Sequence, residues 1–137
     1  MKRAVYYLWL WLPPLAWCGV IFFFSSLPGL ESGLERWLDI LLRKTAHMVE
    51  FGILACLIFC AIINSMKIEP FRAYSWSGFL SIIYAITDEF HQSFVPARSP
   101  GITDVLIDSA GVLFALFIIW KAYGKKNEPL KNIRKTP

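Results

Sequence analysis

Charge is what this chain has least of. Of its 137 residues only 18% are charged and 56% are hydrophobic, whereas a soluble domain carries about 25% charged residues. Cysteine is scarce too: Cys18, Cys56 and Cys60 all stand inside apolar runs, where a thiol behaves as a small buried hydrophobe. Neither a disulfide framework nor a CxxC metal site is present. There is no HExxH motif, no internal repeat and no low-complexity segment. Without repeated halves the chain does not read as a secondary transporter. The net charge of +4 does not make it a nucleic-acid binder, because the bases are neither interleaved with exposed aromatics nor gathered on a recognition helix.

What fills the chain instead is apolar sequence. Four segments, at about 5–26, 44–64, 73–94 and 102–123, each have the roughly 20 residues needed to cross a hydrocarbon core, and the length allows one domain, 1–137. The first run follows Lys2 and Arg3 and outlasts the 7–15 residues of a signal-peptide core, so it reads as a retained span kinked at Pro13-Pro14. Between the first and second spans, Gly29 to Arg43 has too many charges to cross. On a helix, Leu34, Trp37, Leu38, Ile40, Leu41 and Leu42 share one arc and Glu35, Arg36, Asp39 and Arg43 the other, while Ser32 and Glu35 have capping-box spacing. The expected fold is therefore an all-α integral membrane protein: a bundle of four transmembrane helices with a short amphipathic interfacial helix between the first two, ending in a basic tail, 124–137.

Orientation follows from the basic residues. With the N-terminus cytoplasmic, Lys2, Arg3, Lys67, Arg72, Lys121, Lys125, Lys126, Lys131, Arg134 and Lys135 lie inside, ten of the 14 Lys and Arg. Trp9, Trp76 and Trp120 then fall near the inner boundary. Both termini are cytoplasmic on this reading.

The same topology gathers the polar residues at the outer end. Lys44, His47 and Glu50 open the second span, Asp88, Glu89, His91 and Gln92 close the third, Arg98 follows it, and Asp104 and Asp108 open the fourth. Spacings of three or four put each set on one helix face, and Gly111 and Ala115 continue the Asp104/Asp108 stripe as small residues that let a neighbouring helix approach. Ionisable side chains within spans are costly and mark sites; the competing reading is that Lys44 and Arg98 only neutralise Asp88, Glu89 and Asp104.

Pro14, Trp17, Ile21-Phe22 and Ser25-Ser26-Leu27-Pro28, then Lys44-x-x-His47-x-x-Glu50-Phe51, Asp88-Glu89-x-x-Gln92-x-Phe94-x-Pro96-x-Arg98 and Asp104-x-x-x-Asp108-x-x-Gly111 resemble the VanZ-like membrane protein family over residues 13 to 115. Phe51 and Asp108 stand where the family often has Tyr and Asn. The resemblance implies a bacterial plasma-membrane protein of the cell envelope and a link to resistance against the glycopeptide teicoplanin, but no assigned reaction.

Three chemistries fit the constellation. In the first, the pocket formed by Lys44, His47, Glu50, Asp88, Glu89, Gln92, Arg98, Asp104 and Asp108 binds an anionic or amphiphilic envelope component, a lipid-linked wall precursor or a lipoglycopeptide. The second is an enzyme with His47 as general acid or base, Asp88 or Glu89 holding its tautomer, and Arg98 stabilising charge. The third, a metal site from His47, Glu50, Asp88, Glu89, His91 or Asp108, lacks a metal-ligand motif beyond HxxE, so no metal or cofactor is expected. A small accessory subunit, pairing its acids with a partner protein, is the alternative of a different class.

Overall fold

The structure, a computed structural model, describes residues 2–28, 35–96, 98 and 101–133. Four helices make it up: α1 (Lys2–Ser25), α2 (Arg36–Ser65), α3 (Pro70–Gln92) and α4 (Ile102–Ile133). Every regular element among the described residues is helical. Three stretches, Arg3–Ser25, Trp37–Ser65 and Ile102–Tyr123, are long and apolar enough to cross a membrane.

α2 is the hub, packing against each of the other three, while α1 and α4 both pack on α3 as well. The inward stripe of α1 is Pro14, Trp17, Cys18, Ile21 and Ser25, spaced by three or four. Ile21 of this stripe joins a core made by Phe51, Leu54, Ala55, Ile58, Phe59 and Ile62 of α2, Ala73 and Ala85 of α3, and Val112 and Leu116 of α4. α1 runs unbroken through Pro13 and Pro14.

The outside is apolar, unlike that of a soluble bundle. Phe22, Phe23, Leu41, Phe79, Ile83, Phe90, Phe114 and Trp120 all face outward, as a hydrocarbon solvent permits. The interior, by contrast, holds polar groups: Ser25, Ser77 and Ser81 are fully buried, and Asp88, Gln92 and Asp108 nearly so.

α3 shows this most clearly. Its buried residues are Ala73, Ser77, Gly78, Ser81, Ala85, Asp88 and Gln92, a small and polar stripe, and its exposed ones include Phe71, Trp76, Phe79, Leu80, Ile83, Ile86 and Phe90. Averaged along the helix the two faces cancel, which is why the segment expected as a third span is not among the three strongly apolar helices.

The segment expected as a separate interfacial helix also differs. Residues 29–34, with Ser32 of the expected capping box, lie outside the described residues, and Arg36 to Arg43 form the first two turns of α2 itself. No glycine or proline separates Arg36 from Lys44, so the helix continues and adds one hydrogen bond per residue rather than paying for a new nucleus. At its other end α4 stays helical beyond Tyr123 to Ile133, into the segment expected as tail.

α2 and α4 come closest at Gly111. A Cβ there would overlap the Met48 carbonyl, and one at Gly52 would lie 3.2 Å from the Gly111 oxygen. Backbone on backbone is possible only because Gly111 carries no side chain. This contact sets the register in which His47 and Lys44 of α2 face Asp108 and Asp104 of α4.

Candidate functional site

At the end of the bundle where α2 and α4 begin and α3 ends, a cleft is lined by Arg43, Lys44, His47, Glu89, Gln92, Arg98, Asp104, Ile107 and Asp108. It encloses about 30 Å³, room for about two waters. Of the residues singled out from the sequence, all but Glu50, Asp88 and His91 line it directly; Glu50 and Asp88 stand one contact away, beside His47 and Gln92.

Asp88 is the centre of a buried network. Ser25 Oγ donates to its Oδ2 at 2.8 Å, and Gln92 Nε2 donates to the same oxygen at 2.8 Å and reaches Ser25 Oγ at 3.4 Å. The other oxygen, Oδ1, is buried without a partner. These bonds tie the C-terminal turn of α1 to α3 one turn below the cleft.

Arg98 closes the near side. Its guanidinium donates to the Leu27 carbonyl at 3.4 and 3.3 Å, the Phe24 carbonyl at 3.2 Å and Gln92 Oε1 at 3.5 Å. All three acceptors are neutral and the distances are long. Burial, and after it the positive charge of Arg43, lowers the Arg98 pKa from its ordinary value. The charged fork is thus under-compensated, and an incoming anion would relieve it.

On the opposite wall Lys44 pairs with Asp104, an acid in the first turn of α4 where the helix dipole favours it. Glu89 accepts the Gly101 amide at 2.9 Å, which fastens the end of α3 to the start of α4. His47 Nδ1 lies 3.8 Å from Glu50 Oε2, too far for a hydrogen bond, and this nitrogen is otherwise buried without a partner. Glu50 is positioned through its backbone, whose carbonyl accepts from Trp17 Nε1 at 2.9 Å. Asp108 is 2% exposed and lines the cleft with no hydrogen bond to another described side chain.

His91 points elsewhere. Its Nε2 is 3.0 Å from Ser26 Oγ and its ring lies against Phe22, with centroids 4.4 Å apart, so it joins α3 to α1 rather than the acids. Among the described residues no three His, Cys, Asp or Glu side chains converge as metal ligands.

Two contributors were not visible as such in the sequence. Arg43 read as the polar face of an interfacial helix; in the continuous α2 it stands four residues before His47 and seven before Glu50, a spacing that could have found it. Ser25 appeared only within a resemblance motif, and nothing in its neighbours announces a partner on α3.

A family model described as VanZ/LLP1 matches residues 9–123. The chain belongs to the VanZ/LLP1 family. No curated protein and no solved structure matches it. In this VanZ/LLP1 member the matched stretch takes in every residue of the cleft and the Ser25 and Trp17 contacts behind it, so site and family coincide on the chain.

Proposed function

We propose that this VanZ/LLP1 protein is a multi-pass protein of the bacterial cell membrane, and that its cleft binds the headgroup of an anionic or amphiphilic envelope component such as a lipid-linked wall precursor. One observation carries the proposal: Arg43, Lys44 and Arg98 converge with Glu89, Asp104 and the buried Asp108 on a small cleft at one end of a bundle whose outside is apolar. Arg98 in particular holds only neutral oxygens, which a phosphate would outbid.

In this reading α3 is a fourth span. Its 23 residues extend about 35 Å, its outward face is apolar, and its small and polar stripe is turned inward against α1, α2 and α4. The first turns of α2, with Trp37, Ile40, Leu41 and Leu42 exposed, occupy the interface expected of the amphipathic helix. Both termini are cytoplasmic, as the Lys and Arg bias favours, and the cleft opens outward.

A cleft of about 30 Å³ admits the tip of a headgroup and not a whole glycopeptide. Any teicoplanin resistance would therefore arise from occupancy of an envelope lipid rather than from enclosing the drug.

One observation favours a second reading, an enzyme modifying an envelope lipid. His47 lines the cleft beside Glu50, and its buried Nδ1 holds no hydrogen-bond partner, so the imidazole is not tied up in a structural bond and is placed as a general acid or base would be.

Native mass spectrometry of the full chain, extracted with its lipids, tests both. Retention of a phosphate-bearing lipid by the wild type, reduced about tenfold in Arg98→Lys, is expected because the planar fork is lost while the charge is kept. A lipid-free wild type would sink the binding proposal. Conversion of the retained lipid to a product of different mass, lost in His47→Ala, would favour the enzyme.

A further inference from the structure

Charge in the cleft is stratified. At the mouth Arg43 is exposed and unpaired among the described residues, and Arg98 holds only carbonyl and amide oxygens. Deeper in, the carboxylates dominate. Asp104 is neutralised by Lys44 and Glu89 is bonded by the Gly101 amide, but Asp108 lines the cleft at 2% exposure with no donor directed at it. Glu89, Asp88, Asp104 and Glu50 all act on it electrostatically. A buried carboxylate in such company is costly unless a cation or several donors meet it.

Neither a divalent metal nor a bare anion supplies this. The described carboxylates do not converge in threes as a metal ion requires, and an anion alone would answer the mouth while adding to the charge at the floor. A primary ammonium supplies three donors and a positive charge at once.

Resting on the headgroup-binding reading above, we propose that the cleft takes a zwitterion: a primary ammonium bonded by Asp108 at the floor, joined by a two-carbon linker to a phosphate ester held by Arg43 and Arg98 at the mouth. This is the chemistry of a phosphoethanolamine headgroup. Size discriminates as well as charge. The enclosed 30 Å³ or so suits an aminomethyl group, whereas a trimethylammonium group needs more space than about two waters and has no N–H to give Asp108.

The test uses the purified full chain in detergent, titrated with dioleoyl phosphatidylethanolamine, its phosphatidylcholine counterpart and phosphatidylglycerol, with bound lipid counted by native mass spectrometry. The wild type is expected to retain the ethanolamine lipid about tenfold over the other two, equivalent to 1.4 kcal/mol. Asp108→Asn, nearly isosteric, is expected to erase that preference, with circular dichroism verifying that the variant is folded. The wild-type series needs no variant, so the proposal stays testable if Asp108→Asn does not fold. Equal retention of all three lipids by the wild type overturns the ammonium site and leaves headgroup binding standing. Retention of none overturns both. Where the preference holds, displacement of the lipid by soluble O-phosphoethanolamine assigns recognition to the headgroup alone, and failure to displace it assigns the source as lipid.

Discussion

Asp88 shows what a single carboxylate does in this interior. It accepts from Ser25 of α1 and Gln92 of α3 through one oxygen, and Gln92 in turn accepts from Arg98, so the position of the mouth cation depends on a buried acid that never reaches the cleft. Asp88→Ala would leave the Ser25 hydroxyl without its acceptor and the Gln92 amide with only the long contact to Ser25 Oγ, at a cost of about 1–3 kcal/mol. Asp88→Asn keeps an acceptor oxygen and should cost less. Thermal unfolding in detergent, followed by circular dichroism, should rank wild type above Asn above Ala; an Ala variant as stable as wild type would mean that the network does not hold α1 to α3. The sequence placed Asp88 on the polar face with Gln92 four residues on, since helical spacing needs no tertiary information. Its partner Ser25, 63 residues away, could not be read because a serine in an apolar run is equally compatible with a bond to its own backbone, as Ser26 makes to Phe22.

Among the elements, α2 and α4 depend on each other most closely. Gly111→Ala would drive a methyl into the Met48 carbonyl, which is backbone and cannot rotate aside, so the helices must part. Destabilisation of about 3 kcal/mol is expected, together with weaker lipid retention, because Lys44 and His47 would lose register with Asp104 and Asp108. Gly19 of α1 is the control. A Cβ there meets nothing within 4 Å, and Gly19→Ala should be neutral or stabilising by up to about 1 kcal/mol through helix propensity. Equal melting temperatures for the two variants would refute the contact. The small-residue stripe of α4 was legible from spacing alone. The start of α2 was not: amphipathic periodicity over 34–43 matches an interfacial helix and the first turns of a longer one equally well, and only the absence of a breaker before Lys44 separates the two.

For the molecule as a whole the decisive question is whether α3 crosses the membrane. Ser93 and Lys67 are exposed residues flanking its two ends. In a background with Cys18, Cys56 and Cys60 replaced, a membrane-impermeant thiol reagent should label Ser93→Cys in intact cells and Lys67→Cys only after permeabilisation. Labelling of both from outside would show that α3 does not cross, and the reverse pattern would invert the bundle. The inverted face pattern of α3 argues for crossing, since seven residues from Phe71 to Phe90 would otherwise present aromatic and aliphatic side chains to water.

Local rules are enough to settle the all-helical class of this protein, the polar ends of its helices and the family motifs, because hydropathy and helical spacing are properties of neighbouring residues. Which carboxylate is paired and which is left open had to wait for the tertiary structure. Lys44 stands near several acids along the chain, yet the Gly111–Met48 contact sets the α2/α4 register that gives it Asp104 and leaves Asp108 buried without a donor. Pairing of that kind depends on distances between segments some 60 residues apart, and no local pattern carries them.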